Sequence, residues 1–217
     1  MAVPFHPCTT FSIVGATNTG KSYWVYRLLK NKAHMFTEEP THVLYCYSIH
    51  QKLFDRMEVE IPNFTLHQGL PSTATLDQFC DNGDTHKLII ADDMMSDIVA
   101  SKEACKLITE GCHHRRVSSL IISHNLFTQG PCAKTIALNT HILVLFKAMR
   151  SAGQINHLGR QVFPHNPRAI SESYTDCMKQ RHGYLVVDLS PFTINDEYRL
   201  RTHIFPDEQP TIVYSLR

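Results

Sequence analysis

The stretch Gly15-Ala16-Thr17-Asn18-Thr19-Gly20-Lys21-Ser22 constrains this chain more than any other. It fits the pattern G-x-x-x-x-G-K-[ST], follows the apolar run Phe11-Ser-Ile-Val14, and opens a helical pattern at Lys21. In that setting the pattern predicts a phosphate-binding loop. The two glycines let the backbone curl, so that N–H groups along the loop point inward at phosphate oxygens. The start of the following helix adds partial positive charge. Lys21 is placed to reach the β- and γ-phosphates, and the Ser22 hydroxyl to ligate Mg2+. The expected ligand is a nucleoside triphosphate with magnesium.

Around this loop, apolar runs alternate with helical stretches. Strands are predicted at 10–14, 42–47, 87–91, 118–123, 141–146 and 183–189. Helices are predicted at 21–31, 51–57, 74–80, 96–110, 154–162 and 169–180. Several strands are apolar on successive residues, as expected of strands covered on both faces. The alternation predicts an α/β fold, a P-loop NTPase with a mostly parallel central sheet flanked by helices. The strand at 118–123 is expected to lie between the P-loop strand and the strand at 87–91. All 217 residues read as one domain, with a nucleotide core at about 8–165 and a small C-terminal part at about 166–217. The divide falls near Phe163–Arg168, a stretch containing Pro and His.

Composition excludes some classes. Lys plus Arg number 21 and Asp plus Glu 20, a balance that argues against coating nucleic acid by bulk charge. The N-terminal residues show no basic segment followed by an apolar run, so no secretory signal is expected. The longest apolar stretch, Ile142–Phe146, is too short to span a bilayer. Seven cysteines without paired spacing then read as reduced thiols of an intracellular protein. Cys105, Cys112, His113 and His114 match no zinc spacing, and a zinc site is rejected.

The run Lys87-Leu-Ile-Ile-Ala-Asp92-Asp93 ends a strand in two carboxylates. Asp92 is assigned to holding the magnesium's water ligands, and Asp93 to polarising the attacking water as general base. The competing reading makes one of them a helix cap, a role open to Ser96 as well. His124 and Asn125 follow the strand at 118–123, where a polar group can report on the γ-phosphate. Arg115, Arg116 and Arg150 are candidates for a cation donated to transition-state charge by a neighbouring subunit.

Beyond these motifs the chain resembles the viral genome-packaging ATPases of the FtsK–HerA superfamily. The likeness is strongest to those of Maverick/Polinton elements and more distant to the poxvirus enzyme. Besides Gly15–Ser22 and Ile89–Asp93, the likeness includes Tyr45-Cys-Tyr-Ser48 and His113-His-Arg115. It continues in Asn125-Leu-Phe127, Leu138-Asn139 and Phe146-Lys-x-x-Arg150. It implies an ATPase of the infected host cell, in nucleus or cytoplasm at the assembling virion. Such an enzyme forms a hexameric or pentameric ring and drives double-stranded DNA into a preformed capsid through a capsid or portal partner. The same likeness matches Lys21, Ser22, Asp92 and Asp93 position by position. Two positions depart from the family pattern: His124 stands where Gln is usual, and Ser151 where an acid often follows the arginine. A P-loop kinase of small molecules and a non-catalytic nucleotide-binding switch stay open as alternatives.

Overall fold

A computed structural model describes residues 3–81, 84–106, 115–208 and 210–215. The strands are β1 Thr10–Val14, β2 His42–Tyr47, β3 Phe64–Gln68, β4 Lys87–Asp92 and β5 Val117–Ser123. They continue with β6 Ile142–Phe146, β7 Tyr184–Asp188, β8 Leu200–Thr202 and β9 Ile212–Val213. All nine form one sheet in the order β3-β2-β4-β5-β1-β6-β7-β8-β9. The pairings from β3 to β6 are parallel, and those from β6 to β9 antiparallel. As expected from the sequence, β5 lies between the loop strand β1 and the acidic strand β4.

The described helices are α1 Lys21–Lys30, α2 Lys32–Met35, α3 Lys52–Glu60, α4 Thr73–Asp81, α5 Met95–Ala100 and α6 Lys102–Lys106. After them come α7 Ala133–Asn139, α8 Ala152–Val162 and α9 Ala169–Cys177. Alternate residues of each central strand serve opposite faces. Phe11, Ile13, Val43, Tyr45, Leu88 and Ile90 pack with α1 and α3 residues such as Trp24, Leu28, Phe54 and Met57. On the other face, Leu44, Ile89 and Ile121 pack against α4, α5 and α7. Farther along that face, Leu143, Leu145, Leu185 and Val187 pack against α8 and α9. Burial on both faces explains the unbroken apolar runs of β4 and β6.

Several boundaries differ from the sequence reading. The helix expected at 96–110 breaks at Ser101, whose backbone is extended and whose Oγ accepts from the Ala104 N–H. That hydroxyl caps a new helix, α6; residues 107–110 lie outside the described residues. Ser96 sits inside α5, whose cap position is Met94 without a side-chain cap. The reading of Asp92 or Asp93 as that helix's cap therefore fails. Three strands escaped the sequence reading. β3 is a half-exposed edge carrying His67 and Gln68, and β8 and β9 are only three and two residues long. Among the described residues no helix is long and apolar enough to cross a membrane.

Candidate nucleotide site

The loop between β1 and α1 crosses the carboxyl ends of the parallel strands, where α/β sheets place their ligands. Its backbone is tied to both neighbours of β1. The Gly15 N–H donates to the Ser123 carbonyl at 3.3 Å, and the Ala16 N–H to the Lys147 carbonyl at 3.2 Å. Gly15 lies so close to β6 that a Cβ there would stand 2.5 Å from Phe146 Cβ. Gly20 has φ +103°, a left-handed conformation that only glycine adopts without strain. Asn18 also sits at positive φ, which Asn tolerates better than most residues.

Lys21 is buried, and its ammonium donates to the carbonyls of Gly15 at 2.8 Å and Ala16 at 2.9 Å. Burial lowers its pKa, an effect opposed by the charges of Asp92 and Asp93. Ser22 Oγ donates to Asp92 Oδ2 at 3.1 Å. The Tyr45 hydroxyl, fully buried on β2, donates to that same oxygen at 2.6 Å. Burial raises the Asp92 carboxyl, and Asp93 adds to the rise. The bonds from Tyr45 and Ser22 and the charge of Lys21 pull it back. Burial, then the Asp92 charge, pushes the Tyr45 phenol well above its ordinary range, so it stays a donor. A hydroxyl and a carboxylate side by side at the start of α1 are hard oxygen ligands that suit Mg2+.

Asp93 follows β4 in a left-handed turn (φ +57°) held by its N–H on the Ile122 carbonyl. Its half-exposed carboxylate therefore leaves the strand direction and meets His124 at the tip of β5, with His124 Nε2 3.3 Å from Asp93 Oδ1. The other ring nitrogen, Nδ1, lies 3.3 Å from the Gly15 carbonyl and 3.5 Å from Lys21 Nζ. Imidazole thus links the loop lysine to the exposed acid. These groups line a cleft of about 460 Å³ together with Thr17, Asn18 and Thr19. That is a volume suited to a small ligand.

Lys21, Ser22, Asp92, Asp93 and His124 come together in this cleft; the arginines do not. Arg115 and Arg116 precede β5, at the opposite end of that strand from His124. Arg115 pairs with Asp77, and Arg116 with Glu38 and Asp84. Arg150 is exposed on the turn Met149–Ser151 after β6, on the cleft's side of the sheet but outside its walls. Asn125 is also absent from the walls. Cys112, His113 and His114 lie outside the described residues. The sequence reading gave no role to Tyr45 or His182. His182 Nδ1 lies 3.2 Å from the Thr19 carbonyl, and its ring packs against Gly20. Tyr45 stood within the motif Tyr45–Ser48, but only the pairing of β2 with β4 brings it to Asp92.

No protein-family model and no curated protein matches this chain. Among solved structures it is similar to the genome packaging NTPase B204 from Sulfolobus turreted icosahedral virus 2 in complex with ATP-gammaS. That similarity has a TM-score of 0.55 at 9% identity and covers 96% of this chain and 98% of that one. The AMPPCP complex of the same NTPase gives a TM-score of 0.54 at 9% identity, over 96% and 98%. With the loop, the strand order and this overlap, the chain has the α/β fold of a P-loop NTPase, shared over nearly its whole length with a viral packaging NTPase.

Proposed function

We propose that this chain is an ATP-hydrolysing motor that moves double-stranded DNA into a preformed viral capsid. The observation that carries the reading is the meeting of Lys21, Ser22, Asp92 and Asp93 at the carboxyl ends of β1 and β4. The inserted strand β5 sets His124 against both the lysine and the outer acid. Fold likeness to a genome packaging NTPase supports the packaging role. So do the residues shared with the FtsK–HerA packaging ATPases, including the narrower likeness to Maverick/Polinton enzymes.

In this reading the loop N–H groups from Gly15 to Ser22 bind the phosphates. Lys21 exchanges the carbonyls of Gly15 and Ala16 for β- and γ-phosphate oxygens. Ser22 and, through water, Asp92 would hold Mg2+, which would supply charge neutralisation at the phosphates. Asp93 is exposed enough to meet a water and accepts its proton as the water attacks. His124, touching both Asp93 and the Gly15 carbonyl, transmits the state of the γ-phosphate site to β5. A neighbouring copy in a ring supplies the transition-state cation. Arg150 is better placed for that role than Arg115, because it is exposed on the cleft's side of the sheet whereas Arg115 is paired with Asp77 at the other end of β5. Residues 1–217 act as one domain, working inside the infected cell at the assembling virion with a capsid or portal partner.

Steady-state phosphate release from MgATP tests the catalytic part. Wild-type protein should turn over; Lys21→Ala should lose ATP binding and turnover, and Asp93→Asn should keep binding and lose turnover. Wild-type turnover retained in Asp93→Asn would remove Asp93 from the role of base. A phosphoryl acceptor that raises turnover more than DNA does would favour the kinase alternative.

A further inference from the structure

Every residue of β4, β5 and β6 is buried, yet Ser12, in the middle of β1, is only partly so. β1 is the central strand of the nine, where a parallel sheet is ordinarily covered on both faces. The gap lies on the face that carries α7 and α8, where the apolar packing divides into two clusters on either side of β1. Between them runs a groove of about 910 Å³, floored by Ser12 and Leu143 and walled by α7 and α8. Leu138 and Phe127 in its walls are 76% and 37% exposed. We propose that this groove is a contact surface between two copies of the chain, filled by the loop 191–197 of the second copy. The proposal goes beyond the motor reading and needs neither nucleotide nor DNA.

Three observations select that occupant. The first is placement. The loop carries two exposed apolar side chains, Phe192 at 51% and Ile194 at 95%, so covering Ile194 takes another molecule. It leaves the rim of its own groove at Pro191. A surface that carries both a knob and its socket is self-complementary, as pairing of identical chains requires. The second is rigidity. The Thr193 hydroxyl donates to Asp188 Oδ2 at 3.0 Å, and Arg199 Nη2 to the Thr193 carbonyl at 3.0 Å. The Phe192 N–H donates to Ser190 Oγ, and the Glu197 N–H to Asn195 Oδ1. These bonds fix the loop before a partner arrives, which lowers the entropic cost of docking. The third is charge. Among the described residues lining the groove stand Lys134 and no acid, whereas Ile194 is followed closely by the exposed Asp196 and Glu197. Asp196 engages Arg199 of its own chain, which leaves Glu197 to meet Lys134. The groove has room for a loop tip as well as its side chains. Residues 126–130 of its wall follow His124 closely, so a seated loop bears on the segment that leads out of the nucleotide cleft.

Sedimentation velocity across a wide range of concentration, without nucleotide or DNA, tests the pairing. Wild-type chain should pass from one copy to two as concentration rises. Ile194→Asp and Leu138→Glu should each weaken pairing by at least about tenfold, the cost of losing one central apolar anchor. Both residues are exposed, so neither change should move the melting temperature of the single copy. An equimolar mixture of the two variants should pair more tightly than either alone, because the intact loop of one meets the intact groove of the other. A wild-type chain that stays single at every concentration would overturn the second copy as occupant and leave the groove to another protein or an apolar small molecule. Pairing unchanged in either variant, or no gain on mixing, would overturn the loop-in-groove contact. Each of these results leaves the turnover tests of the motor reading untouched.

Discussion

Asp92 Oδ2 takes two hydrogen bonds, from Tyr45 and Ser22, in a site where burial raises the carboxyl's pKa. Its folded pKa lies above its unfolded one, so the folded state holds the proton more tightly. The stability this group contributes is present at low pH and is lost as pH rises through the interval between the two values. Asp92→Asn removes that dependence. Its melting temperature should match wild type below the interval and exceed it above. Calorimetric scans across acid to neutral pH, on wild type and variant together, check this, and the same variant should lose Mg2+-dependent turnover. Tyr45→Phe removes one of the two donors and leaves the carboxylate less firmly placed. The Mg2+ concentration for half-maximal turnover should rise about tenfold or more, the scale seen when a metal ligand loses its supporting partner. An unchanged Mg2+ dependence would reduce Tyr45 to a packing residue.

The β1–loop–α1 unit was legible because everything that specifies it is contiguous: an apolar strand, a fixed glycine spacing and a helix start. The acidic end of β4 was equally local. Contacts made by sheet pairing were not. Tyr45 sits in the apolar run His42–Tyr47, and nothing in that run points to Asp92, 47 residues away, until β2 and β4 align. His182 meets Thr19 across 163 residues, and only the return of β7 beside β6 brings it there. Short strands such as β8 and β9 carry too few residues to show an alternation. The loop's own fit makes a direct prediction. Gly15→Ala would set a Cβ against Phe146, so the loop must shift outward and lose its N–H alignment. Overpacking of this kind costs about 1–3 kcal/mol. ATP affinity should fall further than the loss of stability alone would explain, as measured by calorimetric titration beside thermal melts.

Across the molecule, β7 to β9 extend the nucleotide sheet rather than forming a sheet of their own. Their attachment includes a buried ion pair: Arg201 donates to Asp188 Oδ2 at 2.8 Å, with both side chains almost fully enclosed. Asp188 also accepts from the Ser190 N–H and the Thr193 hydroxyl. Asp188→Ala leaves a buried guanidinium unpaired, which costs about 3–5 kcal/mol. If residues 1–217 are one domain, the variant should melt earlier in a single transition. A separate early transition would instead mark 166–217 as an independent unit.

The proposed coupling of ATP turnover to double-stranded DNA is tested by turnover measured with and without it. Wild-type protein should hydrolyse MgATP faster when linear duplex is added, with no such rise in Lys21→Ala or Asp93→Asn. Turnover that is indifferent to DNA at every concentration, in protein that binds ATP and hydrolyses it, would contradict the motor.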